Sequence, residues 1–269
     1  MPSKLPLVSV LIPVSRYDTY TLQSIDSILC QTLKEIEVII ICNGPDSYGI
    51  LRKIGSQIFD VRVRYLQTPI KGLANALNFG INASMADFIA RHDADDISLE
   101  NRLRVQYDYM QRNHEIGVLG CKVNLIDASG NQLNAGFPYV AEHKHIKLAS
   151  PVINLLCHPA LMFRKQALLE VGAYIYGYRC EDHDLFLRLF EATSWKAHNI
   201  NQTLFYYRRH PQQLTGKVDF SLFAEASAPL ALRFLKTGNP MFLLGIFYVF
   251  PPITTLKRVI RRAINLLPR

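Results

Sequence analysis

In the first half of the chain, short apolar runs alternate with longer stretches of helical spacing. Residues 7–13 are apolar and β-branched and stop at Pro13. Leu22, Ile25, Ile28 and Leu29 then fall on one helix face, which predicts a helix over 19–30 with Asp18 or Thr19 as its N-cap. Residues 36–42 form a nearly continuous apolar strand, the kind buried on both faces of a parallel sheet. Asn43-Gly44-Pro45-Asp46 closes that strand as a turn. A helix to about residue 59, a half-exposed strand over 61–67 and a helix over 72–82 follow, the last with Leu73, Leu77 and Ile81 on one face. Strands alternating with helices predict right-handed βαβ units and a mainly parallel sheet.

The second half is less regular. The pattern predicts a helix over 99–112, a strand over 117–123 and a hairpin tip at 127–131. Between about 137 and 156 it is weak. A short strand over 161–163 and a helix from 165 come next. A strong helix spans 181–192, with Leu185, Phe186 and Leu189 inward and Glu181 and Asp182 in its first turn. Residues 241–250 are apolar throughout, short of the about 20 needed to span a bilayer, and Pro251-Pro252 stops them. Beyond, Leu256, Val259, Ile260, Ala263, Ile264 and Leu267 share one helical face, and Lys257, Arg258, Arg261 and Arg262 the other. A polar face with cations and no acids predicts an interfacial membrane anchor; the alternative is a helix packed on the domain with its basic face in water. The organisation expected is a main domain over 1–215 and a C-terminal helical extension over 216–269.

With 269 residues and 49% hydrophobic content, the chain can build one large α/β core with an appendage. The net charge of +8 favours an anionic partner: a nucleic acid, an acidic membrane face or a phosphorylated small molecule. A nucleic-acid binder is disfavoured, because no basic cluster interleaved with aromatics stands outside the tail. A dinucleotide oxidoreductase is disfavoured too, since no GxGxxG follows the first strand. Five scattered cysteines without a CxxC pair fit a reducing cytosol better than a disulfide scaffold. The first six residues are too short and broken for a secretory signal.

Residues 88–96 carry the most chemistry. The strand there ends in Arg91-His92-Asp93-Ala94-Asp95-Asp96, three carboxylates within four residues. Like charges so crowded repel and lose solvation, and a divalent cation is the simplest compensation. Residues two apart in extended chain point the same way, so Asp93 and Asp95 can face one ligand, while Asp96 can cap the next helix. The alternative is a polar turn with a helix cap. Glu181 and Asp182 stand where a helix N-terminus favours ionised carboxylates, which suits a general base and equally suits plain capping. In Tyr206-Tyr207-Arg208-Arg209-His210, the histidine can ligate a metal and an arginine can neutralise phosphate, or the segment is an edge with snorkelling arginines.

In this order the elements resemble the family 2 nucleotide-sugar glycosyltransferases of the GT-A fold, over roughly residues 7–215. The marks are Val8-Ser9-Val10-Leu11-Ile12-Pro13, Gln31-Thr32, Glu37-Val38-Ile39-Ile40-Ile41 and Gly72-Leu73-Ala74-Asn75-Ala76-Leu77-Asn78. Arg91 to Asp96, Gly172-Ala173-Tyr174, Glu181-Asp182 with Leu185 and Arg188, and Tyr207 to His210 complete them. The resemblance implies a Rossmann-like, mainly parallel mixed sheet flanked by helices. It implies an inverting, metal-dependent enzyme of surface-polysaccharide or lipopolysaccharide synthesis, taking a nucleotide-sugar donor and a glycan or lipid-linked acceptor. Pro13, Val14, Asn43, Lys71, Asn75, Asp93, Ala94 and Arg208 would line the donor. Asp95 and His210 would hold Mn²⁺ or Mg²⁺, Asp182 would be the catalytic base and Glu181 would bind the acceptor. With the basic tail, this places the protein peripherally on the inner face of the cell membrane. Two departures stand out. Cys42-Asn43-Gly44-Pro45 replaces an Asp-Asp-Gly-Ser type turn, and Leu77 stands where many relatives have Arg, so that one cationic contact is either missing or supplied by Lys71. An alternative is a non-catalytic nucleotide-sugar-binding or membrane scaffold protein on the same fold.

Overall fold

The computed structural model of the chain describes residues 5–175, 179–213 and 220–252. The expected alternation holds through the first part: β1 (Val8–Val14), α1 (Thr21–Leu29), β2 (Ile36–Asn43), α2 (Ser47–Gly55), β3 (Val63–Thr68), α3 (Leu73–Ala83) and β4 (Phe88–Arg91). Then come β5 (Ile97–Ser98), α4 (Arg102–Arg112), β6 (Ile116–Ile126), β7 (Gln132–Gly136) and α5 (His143–Ala149). β8 (Met162–Arg164), α6 (Lys165–Glu170), α7 (Glu181–Ala192) and β9 (Lys196–Arg208) complete the domain, and α8 (Phe220–Thr237) and α9 (Met241–Val249) follow.

One mixed sheet has the order β3-β2-β1-β4-β8-β6-β9-β5, with β7 paired to β6. β3, β2, β1 and β4 are parallel neighbours. Antiparallel pairs β4–β8 and β6–β8 join this half to the parallel pair β6–β9. The chain builds outward from β1 through β2 to β3, then returns to lay β4 on the other side of β1. That reversal opens a crevice at the carboxyl ends of β1 and β4, where ligands of open α/β sheets bind.

Alternating side chains divide the core. Leu11, Ile39, Ile41 and Ile89 face α3, α6 and α7 through Leu77, Leu168, Leu185 and Phe186. Val10, Ile12, Val38 and Ile40 face α1, α2 and α4 through Ile28, Ile50, Leu103 and Met110. Every residue of β1 and β2 is therefore buried. The N-cap of α1 is Tyr20, neither Asp18 nor Thr19; Asp18 instead braces the preceding turn, accepting from the Tyr20 amide at 3.0 Å and the Thr21 hydroxyl at 3.2 Å.

Three features depart from expectation. The weak stretch over 137–156 contains α5, too short for its apolar period to register. β5 and the long β9 also escaped the pattern. Asp96 does not cap α4: Gln31 does, from across the fold. Its Oε1 accepts from the Leu103 amide at 3.0 Å, and its amide donates to Leu99 O at 2.8 Å. This accounts for Gln31 as a family mark.

The C-terminal extension is helical as far as it is described. α8 and α9 pack on α7 through Leu187, Leu230 and Phe242. Arg233 pairs with Asp184 at 3.2 Å and Glu191 at 3.0 Å. Among the described residues no helix is long and apolar enough to cross a membrane. The expected domain boundary at 215/216 and the basic amphipathic pattern over 256–267 lie outside the described residues.

Candidate active site

The acidic loop leaves β4 over the crevice and is held from behind by buried cations. Arg102 is fully buried. It donates to Arg91 O at 2.7 Å, Leu161 O at 3.1 Å, the Ser98 hydroxyl at 2.8 Å and Gln106 Oε1 at 3.1 Å. Burial pulls its pKa down to about 10, still far above neutrality. His92 sits between Ser24 Oγ at 2.9 Å and Ser98 Oγ at 3.2 Å. Burial, then the Arg102 and Arg91 charges, hold its pKa well below the usual histidine value, so it is a neutral hydrogen-bonding bridge.

Arg208 ends β9 and fastens it to the loop. Its amide donates to Asp96 Oδ1 at 2.8 Å, Nε to Asp95 O at 2.8 Å and Nη2 to Gln23 Oε1 at 2.8 Å. Its guanidinium lies over the Tyr20 ring, 4.6 Å from the centroid. Expected at the phosphates, Arg208 is buried with its donors committed to the protein, and so supports the acidic loop.

The three carboxylates converge. Asp93, Asp95 and Asp96 each offer an oxygen, all within 4.8 Å of one another. Asp93 pairs with Arg91 Nη1 at 2.5 Å, and Asp95 with His210 Nε2 at 2.9 Å. Burial and then the Asp93 charge raise the Asp95 pKa, and burial with both neighbours raises that of Asp96 well above the carboxylate range. Asp96 Oδ2 and His210 Nδ1 are buried and lack hydrogen-bond partners. An orphaned carboxylate oxygen within a tight oxygen cluster is what a hard divalent cation satisfies, so the residues fit Mn²⁺ or Mg²⁺.

The other residues expected at the donor lie on β1, at the end of β2, at the start of α3 and in the loop after β4. Pro13 and Val14 are buried in β1, and Ala94 is half-buried. Asn43 is buried and accepts from the Gly72 amide at 3.3 Å. Gly44 has a φ of +101°, and Lys71 lies against it. Asn75 is exposed, 3.5 Å from Ile70 O. Leu77, by contrast, is buried in the core and faces away from the crevice.

The second acidic pair opens α7. Asp182 accepts from Asn154 Nδ2 at 2.9 Å and from the His183 amide at 2.7 Å. Glu181 is buried, and its Oε2 has no partner. Burial and then the Asp182 charge push its pKa up to about 7, with Arg91 and Asp93 near enough to act on it as well. Arg91, paired with Asp93, also acts electrostatically on Glu181. The turn that ends α6 has positive φ at Gly172 (76°) and at Ala173 (52°). Arg188 holds it by donating to Val171 O and to Ala173 O at 2.7 Å, and Asp184 orients Arg188 at 2.8 Å. Asn78 brackets Tyr174, donating to its carbonyl at 2.6 Å and accepting from its amide at 3.1 Å. Gly172, Ala173, Tyr174, Arg188 and Asn78 are thus one structural device that seats the helix.

Arg91, Arg102, Tyr20 and Asn154 stand at the site without having been expected there. Period-two spacing puts Arg91 on the same side as Asp93, a usable signal. Asn154 lies in the weakly patterned stretch and gave none.

A family-wide profile described as Glycosyl transferase family 2 matches residues 9–172. The chain belongs to that family. It is 35% identical over 249 residues to the O-antigen biosynthesis glycosyltransferase WbnJ of Escherichia coli, covering 91% of this chain and 96% of that one. It is 31% identical over 214 residues to the E. coli UDP-Gal:alpha-D-GlcNAc-diphosphoundecaprenol beta-1,3-galactosyltransferase, covering 76% of this chain and 74% of that one. Among solved structures, S. aureus TarS 1–349 in complex with UDP-GlcNAc matches with a TM-score of 0.60 at 14% identity, covering 84% of this chain and 66% of that one. The mannosyltransferase PcManGT from Pyrobaculum calidifontis, in complex with GDP-Man and Mn²⁺, matches with a TM-score of 0.60 at 14% identity, covering 92% of this chain and 70% of that one. These structural matches establish the shared GT-A fold.

Proposed function

We propose that this family 2 glycosyltransferase transfers a sugar, with inversion, from a nucleotide diphosphate to a lipid-linked glycan in surface-polysaccharide synthesis. The observation that carries the reading is a pair of acidic sites that both feel the charge of Arg91: the Asp93, Asp95 and Asp96 cluster at the sheet crevice and the Glu181–Asp182 pair at the start of α7.

Asp95 and His210 are the proposed metal ligands, with Asp93 beside them. A divalent cation held there supplies Lewis-acid stabilisation of the diphosphate leaving group. Pro13, Val14, Asn43, Lys71, Asn75 and Ala94 are proposed to line the nucleotide sugar. Asp182 is the proposed base. Its two hydrogen bonds fix the carboxylate while leaving lone pairs to take the acceptor hydroxyl proton. Glu181, buried beside it, orients that hydroxyl. Attack from the face opposite the leaving group inverts the anomeric carbon. The acceptor class follows the E. coli relative whose name specifies a diphosphoundecaprenol-linked sugar. Such an acceptor requires peripheral work at the inner membrane face, for which the basic pattern over 256–267 is the sequence support.

The test is a transfer assay with a panel of UDP- and GDP-sugars, with and without Mn²⁺, on native lipid extracts. Transfer should vanish in chelator and in Asp95→Ala, and the product anomer should be opposite to the donor's. Retained configuration, or full transfer in Asp182→Asn, removes the base assignment.

A further inference from the structure

Away from the acidic sites, an open groove of 490 Å³ lies between α9 and the segment that follows α5. Its volume is within the roughly 300–1,000 Å³ of ligand sites. Val152 and Ile153 form one wall, and Met241, Leu244, Phe247 and Tyr248 the other. Leu244 and Phe247 are 53% and 61% exposed. Water against so continuous an apolar surface is unfavourable, and such patches mark interaction sites.

Three observations say what belongs there. First, the groove wall is bonded to the candidate catalytic helix. Ile153 immediately precedes Asn154, which donates to Asp182 at 2.9 Å. Ser150 O accepts from His183 Nε2 at 2.6 Å. One wall of the groove is thus a single residue away from a side chain bonded to the proposed base. Second, cations stand on the helix that leads into the groove. Lys144 and Lys147 of α5 are exposed, Glu142 is exposed just before the helix, and the last residue, Ala149, lines the groove. Third, the groove is fixed in shape. A Cβ on Gly245 would stand 2.0 Å from Pro151 O, so α9 is pressed against the opposite wall.

An apolar trough with cations on an adjoining helix and a partner of the proposed base next to one wall matches a long hydrocarbon chain attached to an anionic head group. We propose that this groove seats the hydrocarbon chain of the acceptor lipid, with the α5 cations facing its phosphates. The inference rests on the acceptor reading above and adds where the chain lies.

The test uses the full chain with farnesyl diphosphate and methyl diphosphate as probes, measured by calorimetry without detergent. Farnesyl diphosphate should bind at least about tenfold more tightly, a ratio worth about 1.4 kcal/mol. Leu244→Gln with Phe247→Gln should bring the ratio near one while leaving methyl diphosphate binding unchanged. Both positions are exposed, so the fold should survive. A diazirine-bearing farnesyl diphosphate should label residues 149–153 or 241–249 in the unaltered protein. Equal binding of the two probes, an unchanged ratio in the double variant, or labelling elsewhere would overturn the proposal. So would a double variant that keeps the ratio but loses binding to phosphatidylglycerol vesicles, since the groove would then meet the bilayer surface itself. The acceptor reading fails separately, if transfer proceeds to a free oligosaccharide and never to a lipid-linked one.

Discussion

The two acidic sites are built in opposite ways. The Asp93–Asp96 loop leaves β4, a strand buried throughout, and is tied down by Arg102, His92 and Arg208, none with appreciable exposure. The Glu181–Asp182 pair stands at a helix end, supported by a strained turn, one asparagine and a segment that also walls an apolar groove. The first arrangement suits a ligand that is the same in every turnover, a diphosphate with its cation. The second offers more surface for variation, which suits an acceptor that differs between polysaccharides. On the proposed reading, strands would hold the leaving-group side, and loops would adapt the acceptor side.

The largest effect expected is on chemistry. Asp182→Asn should lower kcat by about 10²–10⁴, the range for loss of a general base, with donor binding unchanged in calorimetry. A weaker nucleotide-sugar affinity in that variant would blur the division between the sites. Next is the support of the first site. Arg102→Met leaves Arg91 O, Leu161 O and the Ser98 hydroxyl without their buried partner. It should cost about 3–5 kcal/mol of stability by urea denaturation. Asn154→Leu should cost far less stability, because Asp182 is half-exposed and water can replace the amide.

Glu181 gives a pH signature of a few kcal/mol at most. Its pKa rises from 4.5 to about 7 in the fold, under burial and the charges of Asp182 and Asp93, opposed by Arg91. The folded state then holds more protons than the unfolded one between those values. Stability should fall as pH rises from about 4.5 to about 7 and level off above. Denaturation at pH 5, 6, 7 and 8 in metal-free buffer should show that slope, and Glu181→Gln should flatten it. The smallest effect expected is at the α4 cap. Gln31→Leu strands the Leu103 amide and should cost about 1–3 kcal/mol, with kcat unaltered.

Much of the first site was legible before any coordinates. A strand period ending in Arg91-His92-Asp93-Ala94-Asp95-Asp96 places the acids at a strand terminus, because backbone geometry alone sets which residues share a face. The helix at 181–192 was equally clear, since its apolar spacing is long enough to be distinct. Arg208 was legible as a cation near the site but not in its orientation. Its three-way attachment to Gln23, Asp95 and Asp96 joins residues far apart in the chain. Leu77 is the opposite case, since the helical spacing of Leu73, Leu77 and Ile81 already placed it on the core face, where it lies.

Local periodicity and the order of short motifs determined the layered α/β architecture, the family and the identity of the acids, because these depend on neighbours within a few residues. Tertiary structure decided the rest: that Gln31 caps α4, that Asp96 turns inward to Arg208, that Arg91, the partner of Asp93, also acts on Glu181, and that α9 and the segment after α5 flank an open groove. Each is a contact between segments whose separation along the chain carries no pattern. Burial, which makes such contacts strong, exists only once the sheet and helices have closed on one another.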